Sequence, residues 1–176
     1  MIYRLICIDI LRAMTYIHSR KPHYIIHRDI KLHNILVSSN GKIKLADFGL
    51  SKLVVNPCDN FNSSLPNVNS INDLTSNVGT KRYMAPELFQ HNIYTNLIDI
   101  WSCGIAFYEI FEETKFIIID KDRFDINFIK TPFSIQNIIL NFMLQKDSTK
   151  RYQAHQLITL FQNVEFTYKN SCFCIR

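Results

Sequence analysis

The sequence predicts a mainly α-helical domain that contains one small β-hairpin. Two apolar patterns indicate the helices. Residues 2 to 18 carry isoleucine or methionine at three- and four-residue intervals, which is typical of one buried helix face, and residues 97 to 111 are apolar on nearly every side, which is typical of a fully buried helix. The hairpin is indicated by two short β-branched runs on either side of Asn40-Gly41, a dipeptide favoured in tight hairpin turns.

The composition is that of an ordinary globular domain. Of 176 residues, 47% are hydrophobic and 20% are charged, which argues against disorder, a collagen-like repeat or a disulfide scaffold. The net charge of +5 suits an acidic ligand such as a nucleotide, but the cations are scattered, so we expect no specific nucleic-acid face. We also expect no membrane span. Five cysteines without C-x-x-C spacing indicate reduced thiols, and without a targeting signal we expect a cytoplasmic location.

The first helix is expected over residues 2 to 18, and the hairpin strands over 35 to 37 and 43 to 45. A two-residue turn at Asn40-Gly41 would pair residues whose numbers sum to 81, and this register places Asn34 opposite Asp47. An amide oxygen beside a carboxylate suits Mg²⁺. A polar pair that closes the open end of the hairpin explains the same pattern, so the pairing alone leaves both interpretations open.

The composition changes between Asn56 and Asn77, where seven Asn, four Ser and two Pro make 13 of 22 residues. We expect a long loop there. The buried helix at 97 to 111 follows. A further helix is expected to be capped by Ser134 and to bury Ile135, Ile138, Ile139 and Phe142, and a last helix to bury Ala154, Leu157, Ile158 and Phe161.

One ordered set of motifs carries the chemistry. The residues His27, Arg28, Asp29, Lys31 and Asn34 match the pattern H-R-D-x-K-x-x-N, and Asp47-Phe48-Gly49 follows at a suitable distance. Further matches come in order: Gly79-Thr80, Tyr83-Met84-Ala85-Pro86-Glu87, Asp99-Ile-Trp101-Ser102-Cys-Gly104, and Arg151 four residues after Asp147. On these motifs, from about residue 1 to residue 162, the sequence resembles the eukaryotic protein kinases.

The resemblance implies a protein-kinase-like C-terminal lobe over residues 1 to 162, with the N-terminal lobe absent, and a C-terminal tail over 163 to 176. It implies that Asp29 accepts the proton of a substrate hydroxyl and that Lys31 lies at the transferring phosphoryl group. The implied cofactors are ATP and Mg²⁺. Asn34 and Asp47 would hold Mg²⁺, and Leu36 would pack under the adenine.

The resemblance also implies regulatory and supporting residues. Arg28 would bind a phosphorylated residue of the loop, for which Ser76 is the first candidate and Thr75 the second, and an upstream kinase would be a partner. Asp99 would accept hydrogen bonds from backbone amides around His27 and Arg28, and Glu87 would form a buried ion pair with Arg151. The set expected to support the site structurally is His27, Phe48, Gly49, Thr80, Glu87, Asp99 and Arg151.

Lys31 together with Gly79-Thr80 is similar to the Ser/Thr kinases more than to the Tyr kinases, and the residues inserted between His18 and His27 are similar to the tyrosine-kinase-like group. Tyr-directed or dual activity stays open. Only 26 residues precede His27, so no counterpart of the family's Gly-rich loop or strand lysine is found. Three hypotheses follow in order: an incomplete Ser/Thr kinase, nearly inactive as these 176 residues alone; a truncated, non-catalytic kinase-like binding module; and a basic helical domain associated with nucleic acid.

Overall fold

The computed structural model of this protein describes residues 2–55, 81–89, 95–118 and 124–164. Within these ranges the α-helices are α1 (Ile2–His18), α2 (Pro86–Phe89), α3 (Leu97–Glu112), α4 (Phe133–Ile138) and α5 (Ala154–Gln162), and a π-helix over Ile139–Met143 follows α4 directly. The strands are β1 (His23–Ile26), β2 (Ile35–Val37), β3 (Ile43–Leu45), β4 (Lys52–Val55), β5 (Ile117–Ile118) and β6 (Phe124–Asp125). The prediction of a mainly α-helical fold with a small β-hairpin is confirmed.

Helix α3 lies at the centre of the fold, because 14 of its 16 residues are buried. On one side it packs against α1 and α5, where Phe107 and Phe161 meet edge to face with their ring centroids 5.5 Å apart. On its other side Trp101 packs in a second apolar cluster with Ile26 and Tyr83. The buried residues of α3 include three carboxylates, those of Asp99, Glu109 and Glu112. Each needs hydrogen-bond partners inside the protein, and these contacts position the segments of the candidate site.

The predicted bounds of α1 are confirmed, and α3 ends one residue later than expected. The last helix buries Ala154, Leu157 and Phe161 as predicted, whereas Ile158 is only partly buried. The prediction that Ser134 caps α4 is wrong. Pro132 occupies the cap position, and its carbonyl accepts hydrogen bonds from the amides of Ile135 and Gln136 at 2.9 and 3.0 Å.

The hairpin strands lie where the sequence predicts them, but the predicted register is wrong by one residue. Ile35 pairs with Leu45 and Val37 with Ile43, so paired numbers sum to 80. The turn therefore has three residues, with Gly41 last at a φ of +77° and its amide donating to the Ser38 carbonyl at 2.8 Å. Glycine adopts that left-handed conformation without steric cost.

Two further strand pairs were not predicted. The antiparallel pair β1 and β4 joins residues that are 26 to 32 apart in sequence, from Ile26 with Lys52 to His23 with Val55. Strands β5 and β6 form a second short pair. Because β1 leads directly into His27, its pairing with β4 fixes the point from which the H-R-D motif starts.

No helix among the described residues is both long enough and apolar enough to cross a membrane. The division between a domain ending at residue 162 and a tail stays a prediction, since residues 165–176 lie outside the described ranges. The predicted loop at 56 to 77 also lies outside them, together with Thr75, Ser76 and Thr80.

Candidate active site

A buried carboxylate on α3 holds the loop that carries the H-R-D motif. Asp99 is fully buried, and its two oxygens accept the backbone amides of His27 and Arg28, each at 2.8 Å. These are the contacts that the family resemblance implied. Arg28 has a φ of 68°, a left-handed conformation that costs a non-glycine residue about 1–3 kcal/mol. Hydrogen bonds from these amides to the charged carboxylate offset that cost.

His18, at the end of α1, completes the environment of Asp99 and was missed by the sequence analysis. Its Nε2 lies 2.9 Å from Asp99 Oδ2. The two residues are 81 positions apart, so no local pattern connects them. The one available signal was the expectation that a carboxylate inside the apolar run of α3 must find several partners.

The carboxylate of Asp29 is held on one side and unengaged on the other. Its Oδ2 accepts Lys31 Nζ at 2.7 Å and Asn34 Nδ2 at 2.9 Å. Its Oδ1 is buried and accepts no hydrogen bond from the described part of the chain. A buried acceptor without a donor is costly unless a ligand supplies one. The arrangement fits a carboxylate that is oriented to accept the hydrogen of a substrate hydroxyl.

Asn34 is turned so that its nitrogen faces Asp29. Its Nδ2 also donates to the Asp29 backbone carbonyl at 2.8 Å. The amide oxygen Oδ1 consequently points elsewhere, and within the described ranges no donor contacts it. With the hairpin register corrected, the Asn34 backbone carbonyl accepts the Ala46 amide at 2.8 Å. Asn34 and Asp47 are therefore not a directly opposed pair, and the prediction that the hairpin pairing places two Mg²⁺ ligands side by side is wrong.

The side-chain oxygens of Asn34 and Asp47 nevertheless fit Mg²⁺ on other grounds. Asp47 is exposed, it has a φ of 62°, and its Oδ1 accepts the Gly49 amide at 3.2 Å. Among the described contacts its Oδ2 accepts none. One carboxylate and one amide oxygen are hard ligands of the kind Mg²⁺ uses when phosphate and water complete its coordination. The described residues contain no cluster of three or more His, Cys, Asp or Glu that could hold a metal by themselves.

His27 joins the two halves of the site. Its Nε2 lies 3.1 Å from the Ala46 carbonyl, and its ring packs on that of Phe48 with a centroid distance of 4.6 Å. The Asp47-Phe48-Gly49 segment is thereby fastened to the loop of Asp29. Leu36, expected under the adenine, lies on β2 with half of its side chain exposed.

Glu87 and Arg151 form a buried, two-pronged ion pair. The Arg151 nitrogens Nη1 and Nη2 lie 2.6 and 2.8 Å from the two carboxylate oxygens of Glu87. Arg151 also donates to the carbonyls of Gln145 and Leu97. This pair ties α2, just after the Tyr83-Met84-Ala85 segment, to the loop before α5. The described hydrogen bonds of the pair include none with Asp29, and a supporting role for Glu87 and Arg151 stays a prediction.

The comparisons with known proteins agree with this geometry. Residues 2–167 match the family described as the protein kinase domain. The chain is 40% identical to the serine/threonine-protein kinase VIK of Arabidopsis thaliana over 107 residues, which cover 60% of this chain and 22% of that protein. It is 33% identical to the MAP kinase kinase MKK1/SSP32 of Saccharomyces cerevisiae over 171 residues, which cover 85% of this chain and 30% of that protein.

A third similar protein is the mitochondrial serine/threonine-protein kinase ppk24 of Schizosaccharomyces pombe, at 43% identity over 104 residues, which cover 58% of this chain and 20% of that protein. This chain thus spans less than a third of the length of these curated relatives.

Proposed function

This chain belongs to the protein kinase domain family, and from that premise we propose that it provides the catalytic residues of a serine/threonine kinase, which transfers the γ-phosphoryl group of ATP to Ser or Thr hydroxyls of protein substrates. The observation that carries the proposal is the arrangement at Asp29. One oxygen of its carboxylate is fixed by Lys31 and Asn34, and the other is buried without a donor from the described residues. A substrate hydroxyl would supply that donor.

Each residue of the site then has a separate task. Asp29 orients the hydroxyl and receives its proton. Lys31, whose side chain is about one-fifth exposed, keeps a cation beside that carboxylate and can contact a phosphoryl oxygen. Asn34 and Asp47 would hold Mg²⁺, which neutralises the charge of the phosphates when it is bound. Leu36 offers an apolar surface for the adenine.

The preference for Ser and Thr is supported by Lys31 and by the names of the relatives, two of which are serine/threonine kinases. We also propose that an upstream kinase phosphorylates Ser76 or, as second candidate, Thr75, and that Arg28 binds the phosphate through charge-assisted hydrogen bonds. Mass spectrometry of the active enzyme should find the modification, and Arg28→Ala should lower activity. An active enzyme that is unmodified in this segment would contradict the proposal.

A second candidate function is a non-catalytic binding module. It is favoured by two observations: the 176 residues contain no G-x-G-x-x-G sequence, and three apolar side chains of strands β2 and β4 are exposed, namely Leu36 at 50%, Val37 at 66% and Leu53 at 67%. Apolar surface of this kind marks an interaction site or a tendency to aggregate. On either hypothesis, we expect these 176 residues alone to transfer phosphate poorly, because few groups position the phosphates.

The decisive experiment measures Mg²⁺-ATP binding and phosphorylation of Ser/Thr peptides by the 176-residue chain and by a longer version that extends upstream of Met1. In an active version, Asp29→Asn and Asp47→Asn should each abolish transfer while the protein stays folded, since one removes the hydroxyl-orienting carboxylate and the other a metal ligand.

Asp9→Asn is the matched control, because Asp9 lies on the outer side of α1 in a solvent-exposed ion pair with Arg12. Its activity should equal that of the unchanged protein. Near-normal turnover in a folded Asp47→Asn protein would contradict the Mg²⁺ assignment. A folded longer version that neither binds ATP nor phosphorylates peptides would favour the binding module.

A further inference from the structure

A wall of the candidate site is formed by the segment that precedes α2. Tyr83 and Met84 line a small cavity together with Asp29 and Arg28. The Tyr83 carbonyl accepts a hydrogen bond from Ser102 on α3 at 2.7 Å, which fixes the segment against the core. A peptide whose hydroxyl reaches Asp29 would lie beside this wall, residues 81 to 84, and would be exposed to its charge.

Among the residues that the structure describes, one carboxylate is hydrogen-bonded to this wall, and that carboxylate is already engaged. Glu109 on α3 accepts hydrogen bonds from the Tyr83 hydroxyl and, at 2.9 Å, from the Phe116 amide. The guanidinium of Arg82 adds an ion pair, with Nε 3.5 Å from Glu109 Oε1. Only 3% of the Glu109 side chain is exposed, whereas 25% of the Arg82 side chain is. The acid is thus covered and its cation is the partner that faces solvent.

The other carboxylates that support this region are also engaged. Glu87 is paired with Arg151, and Asp99 is occupied by two backbone amides and His18. The wall itself carries two cations, Lys81, which is exposed, and Arg82. Like charges brought together at an interface are penalised and opposite charges are favoured.

We propose that Arg82 makes this site select acidic peptides: phosphoacceptor sites flanked by Asp, Glu or phosphorylated residues bind better than sites flanked by Arg or Lys. Arg82 acts in two ways. It presents a cation to the peptide, and it neutralises Glu109, the carboxylate that would otherwise attract basic peptides. This inference rests on the proposed function, since it concerns the substrate class of the same site.

The test measures binding without nucleotide, by fluorescence anisotropy of two labelled Ser peptides that differ only in having Glu or Arg around the Ser. The unchanged 176-residue chain should bind the Glu peptide about fivefold more tightly, a ratio expected for a few partly exposed charge contacts. The ratio should shrink in 1 M NaCl, where such contacts are screened. Arg82→Lys should keep the ratio, and Arg82→Ala should bring it to 1 or below, because Glu109 loses its cation.

Arg12→Ala is the matched control, because it also removes one arginine from an ion pair with a carboxylate but lies on the solvent-facing side of α1. It should leave the ratio unchanged. Circular dichroism establishes that each variant is folded. Equal binding of both peptides, tighter binding of the Arg peptide, binding of neither, or an equal effect of Arg12→Ala would overturn the inference. A folded longer version, extended upstream of Met1, that prefers the acidic peptide but never transfers phosphate would contradict the proposed function and leave the peptide preference standing.

Discussion

Replacement of Arg151 by methionine should destabilise the protein more than any single surface change. The Arg151 side chain is completely buried and makes four hydrogen bonds, two to Glu87 and one each to the carbonyls of Gln145 and Leu97. Methionine fills much of the same volume but donates none of them. The variant therefore keeps the packing, leaves a mostly buried carboxylate without its cation, and removes the hydrogen bonds that Arg151 donates to two carbonyls.

The size of the effect follows from these contacts. Removal of one partner of a buried ion pair costs about 3–5 kcal/mol, because the remaining charge stays desolvated. About 10% of the Glu87 side chain is exposed, which relieves part of this cost, so we expect about 3 kcal/mol. A domain is stable by about 5–15 kcal/mol in total. With an m value of about 2 kcal/mol per molar urea, the unfolding midpoint should fall by about 1.5 M.

The single tryptophan of the protein serves as a fluorescence probe of unfolding. This residue, Trp101, is 1% exposed, and the Arg151 guanidinium lies 5.0 Å from its ring. Urea unfolding followed by Trp101 fluorescence, with far-UV circular dichroism as a second probe, gives the free energy of unfolding. Because Arg151→Met removes the cation beside the ring, the native fluorescence can change as well, and the midpoint is the quantity to compare.

Two further variants test whether the uncompensated carboxylate of Glu87 causes the loss of stability. Arg12→Met breaks the exposed pair with Asp9, whose N–O distance is 2.9 Å, and should cost less than about 1 kcal/mol. The double variant Arg151→Met/Glu87→Met should be more stable than Arg151→Met alone, since it removes the uncompensated carboxylate. A midpoint for Arg151→Met equal to that of Arg12→Met, or a double variant no more stable than the single one, would refute the reasoning.

Three other changes test the packing and the turns, each by urea unfolding. Burial alone would raise the pKa of Glu112, but hydrogen bonds from Thr131 and backbone amides outweigh burial and lower it. The stability that the ionised Glu112 carboxylate contributes is present above its unfolded pKa and is lost as pH falls through its folded pKa. The Glu112→Gln variant should therefore lose less stability in acid than the unchanged protein. Gly104→Ala places a Cβ 2.8 Å from Leu144 Cδ2 and should cost about 1–3 kcal/mol. Gly41→Ala meets no atom within 4 Å but has a φ of +77° and should cost about 1–2 kcal/mol. An unchanged acid profile for Glu112→Gln, or unchanged stability in either alanine variant, would contradict the corresponding contact.

The helices that position the site follow from local apolar patterns. In α1 the buried residues recur at helical spacing, and in α3 an apolar sequence on nearly all sides marks a central helix. Such patterns are properties of short segments, so the sequence alone was sufficient to place these two helices. The candidate catalytic residues could be predicted for a related reason, since Asp29, Lys31 and Asn34 lie within six residues and their contacts are local.

The hairpin register was decided by the tertiary structure, although the sequence held a clue. Ile35, Ile43 and Leu45 all pack against the core. Alternate residues of a strand share a face, so these odd-numbered residues must pair with odd-numbered partners, which requires an even sum. A two-residue turn gives the odd sum of 81, whereas the observed three-residue turn gives 80. Asn-Gly is compatible with both turns, and burial of the apolar face selects between them.

Long-range contacts could not be predicted from local patterns. The His18–Asp99 contact spans 81 residues, and the Tyr83–Glu109 contact spans 26. The need for such contacts was predictable, because a carboxylate inside an apolar helix must be hydrogen-bonded. The family resemblance supplied the two backbone amides that bind Asp99, but no pattern indicated His18 or the acceptors of Arg82 and Tyr83. The sequence by itself therefore determined where the long helices α1 and α3 form and which residues can carry the chemistry. The tertiary structure alone decided which buried charges meet, because those partners are brought together only when the core closes around α3.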